Sequence, residues 1–562
     1  MPDEQRLGLV VAGSLVKGLT ARLDGAASVE ELRVGRFVKI EGDKHDFFCL
    51  VTDVRLDATN QDVQADPPDP SDGFLRAVLA GTTAYGALEI QPMLMLAREP
   101  SDTEEGGPRP VRTVPAHFSQ VFDAGEGDFE RVFGKADDVH FEIGHPLEGD
   151  HPICIDLRRF VERSNGVFGK SGTGKSFLTR LLLCGVALSK TAVNLVYDMH
   201  SEYGWASQAE HTNEVRGLRQ LFGSSVMVFT LDPSAGNRRN DGVIAIGMNE
   251  IEIEDIGLLQ DELRLNPTAV ESASLVEAKY KREWMSVLAA DDVNVAGLAE
   301  ETGANPQSLG ALSNKIRAHI AKLKFVRPHV AQRDSGLDAL IAALESGKHV
   351  VLEFGTETRL LAYMLASNVI TRRIHQRWTR ATDKYKQGTG EKPRQLMITI
   401  EEAHKFLNPR AASQTIFGTI ARELRKYNVT LLVVDQRPSG IDDEVLSQIG
   451  TRITCQLNDD RDIDAVLAGV GGASHLRSVL ATLDSREQAM ILGHAVPMPM
   501  ALRTRKYDDR FYEFIQQRRD GNGAASGAAA VAGWGADPIA TAVENGQERK
   551  ARMRRELGLL DE

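Results

Sequence analysis

Cysteine is scarce in this chain: Cys49, Cys154, Cys184 and Cys455 are the only four in 562 residues, and no two stand at C-x-x-C spacing. That spacing argues against a disulfide framework or a zinc knuckle and leaves all four as packing residues. No run of 18 apolar residues occurs, so no membrane-spanning helix is expected, and Met1-Pro2-Asp3-Glu4 does not read as a secretory leader. The expected location is the cytoplasm. Positive charge is also in deficit, with 66 Lys and Arg against 79 Asp and Glu for a formal charge of −13. Such a balance argues against a surface that coats nucleic acid throughout, yet leaves room for a local basic channel. A chain this long outgrows one core, so about three or four units are expected.

What is present begins with one motif. Gly169-Lys170-Ser171-Gly172-Thr173-Gly174-Lys175-Ser176 is a full G-x-x-x-x-G-K-[ST] phosphate loop, with the strand-like Gly166-Val167-Phe168 before it. Its glycines let successive backbone N–H groups converge on one anion. Lys175 is placed to reach the outer phosphates, and Ser176 to offer its hydroxyl to Mg²⁺. Phe177 to Cys184 follows as a helix that is apolar nearly all round, the mark of a helix packed on a parallel sheet, and its positive dipole end faces the phosphates. ATP with Mg²⁺ is the expected cofactor pair, with residues 169–177 as its binding segment.

Around this motif the chain divides into five parts. Residues 1–113 hold short β-type runs, Leu7–Val11, Val16–Leu23, Phe37–Ile40, Phe47–Val54 and Leu88–Leu96, which fit a small β-barrel followed by a polar connector. The stretch Asp57–Asp72, with five aspartates, three prolines and no Lys or Arg, reads as a solvated loop. Residues 114–249 begin an α/β motor near Phe141-Glu142-Ile143-Gly144, and residues 347–518 complete it. Its strands are expected at Val193–Asp198, Val226–Leu231, His349–Phe354, Leu396–Glu401, Val429–Asp435 and Arg452–Leu457, alternating with helices in a mostly parallel, doubly wound sheet. Residues 250–346 form a helical insertion, in which Asn266-Pro267 and Asn305-Pro306 are N-cap and first-turn proline pairs. Leu309, Leu312, Ile316, Ile320 and Leu323 recur at helical spacing as a core stripe. Residues 519–562 are a Gly/Ala-rich linker and an amphipathic basic tail, which suits either a partner hook or a solvated terminus.

Two further strands carry chemistry at their tips. Leu396-Met397-Ile398-Thr399-Ile400 ends in Glu401-Glu402, the form of a Walker B strand: one carboxylate serves the Mg²⁺ side and one polarises the attacking water. Glu402 is the candidate general base and Glu401 the Mg²⁺-side acid, while His404 is assigned a structural place. The tetrad Glu401-Glu402-Ala403-His404 is only superficially like a D-E-A-H helicase box, since it lies far beyond Lys175 and no Ser-Ala-Thr follows it. The second strand, Val429–Asp435, leads to Gln436, a candidate sensor of the γ-phosphate or the attacking water. Arg422 or Arg425 on the preceding helix is the candidate arginine finger for a neighbouring subunit. Asp198-Met199-His200-Ser201-Glu202-Tyr203 reads as a nucleotide-coupled loop rather than a metal site. Arg238, Arg239, Lys405 and Arg410 are weaker candidates for phosphate contacts in a DNA channel.

Taken in order, these stations resemble the HerA family of DNA-translocating ATPases. The resemblance runs through the phosphate loop, the Asp198–Tyr203 segment (family pattern close to D-P-H-G-E-Y), Glu401-Glu402-Ala403-His404, and Gln436-Arg437-Pro438-Ser439 to Leu446-Ser447-Gln448. The chain departs from it at Met199, at Ser201 where the pattern has glycine, and at Leu424-Arg425-Lys426-Tyr427-Asn428. What the resemblance implies is a homo-hexameric ring with ATP at its subunit interfaces and duplex DNA in the central channel. It also implies a partner nuclease on the barrel face, NurA-like or another effector nuclease, acting in DNA end processing or antiphage defence. No acid-acid-lysine cluster suggests that this chain cuts DNA itself. Two other readings stay open: an ATP-binding ring that scaffolds and activates its partner with little translocation, and a pump for protein or single-stranded DNA.

Overall fold

A computed structural model describes residues 6–520, except 26, 60–77, 79–83, 99–106, 207–214, 236–239, 331–335, 413–414, 424–425, 471–472 and 485. The C-terminal tail and most of the Asp57–Asp72 stretch therefore lie outside the described residues. Two compact units divide the chain at Asp508.

The first unit opens with a closed barrel. Its strands are β1 (Arg6–Ser14), β2 (Gly18–Leu23), β3 (Phe37–Glu41), β4 (His45–Ala58), β5 (Ala84–Ala97), β6 (Arg109–Pro110) and β7 (Gln120–Asp123). The order β2-β1-β7-β3-β4-β5-β6, with a further β2–β5 pairing, closes the wall. Leu7, Val10, Leu19, Val38, Ile40, Val51, Leu88, Ile90 and Val121 fill its interior, as alternation along each strand requires. Two expectations are corrected here. The boundary at residue 113 falls inside the barrel, because β7 lies beyond it and bridges β1 to β3. Asp57 and Ala58 belong not to a loop but to the end of β4, where they pair with Tyr85 and Ala84.

The motor sheet has twelve strands. They are β8 (His140–Pro146), β9 (Ile153–Asp156), β10 (Asn165–Phe168), β11 (Val193–Asp198), β12 (Val226–Thr230), β13 (Gly242–Val243), β16 (His349–Glu353), β17 (Leu396–Glu401), β18 (Val429–Asp435), β19 (Thr451–Thr454), β20 (Gln488–Gly493) and β21 (Met500–Thr504). The small pair β14 (Ile246–Gly247) and β15 (Val326–Arg327) stands apart from it. From β13 through β12, β16, β11, β17, β18 and β10 to β19 all neighbours are parallel. Beyond β19 the sheet continues antiparallel through β20, β21, β8 and β9, a flank absent from the sequence expectation. The central strands are buried along their whole length, β18 at every residue, which is why they read as unbroken apolar runs.

Helical N-caps in the insertion match their sequence signals. Asn266 accepts from Ala269 N and Asn305 from Ser308 N, each with proline in the first turn. Leu309, Leu312, Ile316, Ile320 and Leu323 are all buried. They share one apolar cluster with strand residues such as Leu195, Val350 and Ile398, so the insertion adds to the motor core rather than building a second one. The second unit is described from the helix Asp509–Arg519, where Phe511 stacks on Phe514 with centroids 6.2 Å apart.

Candidate nucleotide site

Parallel register brings the functional tips to one edge of the sheet. Phe168 at the end of β10 pairs with Asp435 at the end of β18, and Glu401 of β17 pairs with Val434. Asp198 ends β11 on the other side of β17. The carboxyl ends of parallel strands are where an open α/β sheet presents its ligand crevice.

At the tip of β10 the phosphate loop leaves the sheet. Gly169 N donates to Asp435 O at 3.2 Å and Lys170 N to Gln456 O at 3.2 Å, so both neighbouring strands anchor the loop. Gly169 has φ +151°, and a Cβ there would lie 2.8 Å from Cys455 Cβ and 2.9 Å from Thr173 Oγ1. Only glycine fits that approach. Gly174, at φ +94°, turns the chain into the helix Lys175–Ser189. Thr173 Oγ1 and Lys175 Nζ each donate to Lys170 O at 2.8 Å, which closes the loop into a ring. The first-turn N–H groups of the helix lack intrahelical acceptors and face the loop interior, a ready anion site. Burial holds the Lys175 ammonium below its usual range, while Cys455, Glu402, Asp435 and Glu401 pull it back up. All four cysteines are free and buried, in keeping with their packing role.

The two adjacent acids are handled differently. Burial pushes the Glu401 carboxyl up to about 8, against a hydrogen bond from Tyr203 Oη to its Oε1 at 2.8 Å. Its Oε2 is buried without a hydrogen-bond partner. The Glu401 backbone is fixed by Tyr363, whose hydroxyl accepts from Glu401 N at 3.0 Å and donates to Glu401 O at 3.2 Å. Glu402, one residue on, turns into the left-handed region at φ +49° and presents its carboxylate to Gln436, whose Nε2 donates to Oε1 at 3.0 Å. The two residues singled out from separate strands as base and sensor therefore meet.

Beside them, Asp198 is fully buried and accepts from the backbone N–H groups of Glu202, Tyr203 and Gly204 at 2.8, 2.8 and 3.1 Å. It wraps the loop that carries Tyr203 to Glu401, so Asp198 organises this segment. Ser201 stands in this loop at φ +54°, a conformation that favours glycine, which accounts physically for the glycine of the family pattern. Arg180, on the phosphate-loop helix, donates to Glu202 O from Nε at 3.1 Å and Nη2 at 2.6 Å. Its guanidinium lies 5.3 Å from the Phe177 ring centroid and 5.8 Å from that of Tyr203. Phe177 itself is 39% exposed, one turn from the loop.

Other candidates fare unequally. Arg422 is held inside the chain, donating to Glu444 Oε2 and Ala412 O at 3.0 Å each, a poor arrangement for a finger that must reach a neighbour. Arg410 pairs with Asp261 at 2.7 Å and Gln260 at 2.9 Å, so its guanidinium does not face a channel freely. Lys405 N donates to Glu402 O at 2.8 Å, placing this residue in the Walker B turn. Arg425, Arg238 and Arg239 lie outside the described residues. Sequence reasoning named Tyr203 only as part of its loop and passed over Asp435, Tyr363 and Arg180 as members of the site. Of these three only Asp435 carried a signal, a lone charge closing a buried apolar strand.

A parallel sheet with a phosphate loop, paired acids and a polar sensor at adjacent strand tips defines a RecA-like P-loop nucleotide-binding motor, here preceded by a β-barrel. A family model for the central domain of helicase HerA matches residues 141–374, and one for the HAS barrel domain matches residues 7–105. The DNA double-strand break repair helicase HerA of Sulfolobus acidocaldarius is 33% identical over 520 residues, spanning 90% of this chain and 94% of that protein. Its counterpart from Pyrococcus furiosus is 24% identical over 427 residues, spanning 70% and 74%. This chain belongs to the HerA family. Among solved structures, the bacterial conjugative coupling protein TrwBdeltaN70 superposes with a TM-score of 0.43 at 12% identity, over 69% of this chain and 93% of that one.

Proposed function

We propose that this chain is an ATP-driven duplex DNA translocase and helicase of the HerA type. It works as a homo-hexameric ring in the cytoplasm, with a partner nuclease that cuts while the ring moves DNA. The observation that carries the reading is the 3.0 Å contact of Gln436 with Glu402, on adjacent strand tips to one side of the loop of Lys175. A carboxylate for the attacking water, an amide beside it and a half-buried ammonium for the phosphates are the parts that phosphoryl transfer to water needs.

ATP and Mg²⁺ fit the residues present. Among the described residues no group of three or more His, Cys, Asp and Glu could hold a metal alone. Ser176 in the first helical turn and the unpartnered Oε2 of Glu401 instead suit a Mg²⁺ that arrives with the nucleotide and keeps phosphate and water oxygens as ligands. Bound there, the ion would neutralise phosphate charge. Arg425 is the finger candidate that we favour, because Arg422 already has its partners within the chain. Among the described residues no helix is long and apolar enough to cross a membrane, so a membrane-bound pump has no support here.

The test is ATP hydrolysis with and without linear duplex DNA at low salt, where phosphate contacts persist. DNA should stimulate hydrolysis, Lys175→Ala should lose it, and Glu402→Gln should lower kcat by about 10²–10⁴-fold. Hydrolysis indifferent to DNA would favour the scaffold that only organises its nuclease.

A further inference from the structure

Glu402 occupies a left-handed conformation at φ +49°, which is strained for a residue with a side chain and persists only where its surroundings impose it. The turn that follows Glu402 is tied to Asp435. Its Oδ2 accepts from His404 N at 2.6 Å and from His404 Nδ1 at 2.9 Å, and its Oδ1 lies 3.0 Å from the same ring nitrogen. Oδ1 also accepts from Arg437 N at 2.7 Å. One buried carboxylate thus fastens the residue two places beyond Glu402 and the residue next to Gln436. Its backbone carbonyl meanwhile accepts from Gly169 N, the first residue of the phosphate loop.

We propose that Asp435, acting through His404, is the positioning residue that holds the Glu402 carboxylate and the Gln436 amide in register with each other and with the phosphate loop. The inference rests on the ATPase reading above. Three donors converge on Asp435, so a carboxylate suits the place and an amide does not, because its NH₂ would oppose one of them. Because Asp435 can only accept, His404 carries its proton on Nδ1. At 3.7 Å from that nitrogen, Glu402 Oε2 is beyond hydrogen-bond reach, so His404 transmits position rather than a proton.

The experiment compares Asp435→Asn and His404→Ala with the wild-type full-length chain, reading kcat, KM, nucleotide affinity and melting temperature. Asp435→Asn should lower kcat about 100-fold while nucleotide affinity stays within about threefold, the signature of an interaction needed only for turnover. In single-turnover assays it should add less than about threefold to Glu402→Gln, since a residue acting through Glu402 has nothing left to act on. Losses that multiply, or an affinity that falls as far as kcat, would overturn the proposal. If Asp435→Asn does not fold, His404→Ala decides: its side chain is partly exposed, a kcat loss of about tenfold is expected, and an unchanged kcat overturns the assignment. A wild-type chain without hydrolysis would overturn the ATPase reading and this one together, an outcome distinct from a normal wild type with an indifferent Asp435→Asn.

Discussion

In the barrel, large apolar side chains lie on both sides of the wall; in the motor, polar and charged side chains lie inside. Val16 is 90% exposed, Leu56 80% and Phe118 69%, all on the barrel. The motor buries Asn165, Asp198, Asp232, Asp255, Asn368, Asp435, Arg452 and Arg505, where the barrel strands bury Lys39 and Asp46 among the described residues and Lys39 pairs with the buried Asp128 beside them. The difference follows from task. A site that must fix dipoles away from water needs dry polar groups, each held by partners. A wall that leaves single apolar groups in solvent gains nothing from them for its own folding.

If the motor depends on paired buried charge, breaking one pair there should do the most damage. Arg372 donates to Asp255 Oδ2 at 2.8 Å and to Glu250 O at 2.9 Å, tying the helix Ile253–Leu258 to the helix Leu360–Lys386. Asp255 is fully buried, and burial raises its carboxyl even against Arg372. Arg372→Ala should cost about 3–5 kcal/mol, measured by denaturant unfolding, because it strands that carboxylate. A cost below about 1 kcal/mol would show that Asn368, which donates to Asp255 Oδ1 at 2.6 Å, and Glu252 N, which donates to Oδ2 at 2.8 Å, suffice together.

The next effect is a pH dependence. His349 is buried at the start of β16, its Nδ1 accepts from Asn194 N at 3.1 Å, and burial pushes it down to about 4 from 6.5. The unfolded chain therefore binds the extra proton first as pH falls. Stability from this site is complete above about 6.5 and is lost progressively toward 4, on the order of 3 kcal/mol in all. Melting curves from pH 7.5 to 4.5 should show that loss, and His349→Gln should flatten it. A slope unchanged in the variant would assign the acid sensitivity elsewhere.

The same contrast explains what could be read from the residues in order. Val193–Asp198, Leu396–Glu401 and Val429–Asp435 stand at their expected bounds, because a strand buried on both faces is a continuous apolar run with a polar stop. Barrel strand β7 has four residues and is defined by β1 and β3, far from it in the chain, so nothing local marks it. Glu402 and Gln436 were legible as strand tips. Their meeting, and the place of Asp435 between them, depends on the register Phe168 to Asp435, which only the folded sheet sets. Tyr203 reaches Glu401 across a similar gap.

A smaller effect lies in the loop that Asp198 organises. Ser201 at φ +54° bears strain that glycine avoids, so Ser201→Gly should stabilise the chain by about 0.5–1 kcal/mol. A destabilised variant would mean that the Ser201 side chain, rather than Asp198, holds the turn.

The smallest expected change in stability is on the barrel, and it tests the comparison most directly. Val16 lies in the β1–β2 turn, and Phe118, at φ +68°, donates from its backbone N to Val10 O at 2.8 Å, on the neighbouring strand β1. Neither side chain counts among the buried core. Val16→Asp and Phe118→Asp should therefore leave stability within about 0.5 kcal/mol of wild type, and aspartate tolerates the left-handed backbone at position 118. ATP hydrolysis by the chain alone should be unchanged, while co-elution on size exclusion with the nuclease partner proposed above should be lost. A barrel that melts early in these variants would show that its outer apolar groups serve folding, and the division between a solvent-facing wall and a dry motor would fail.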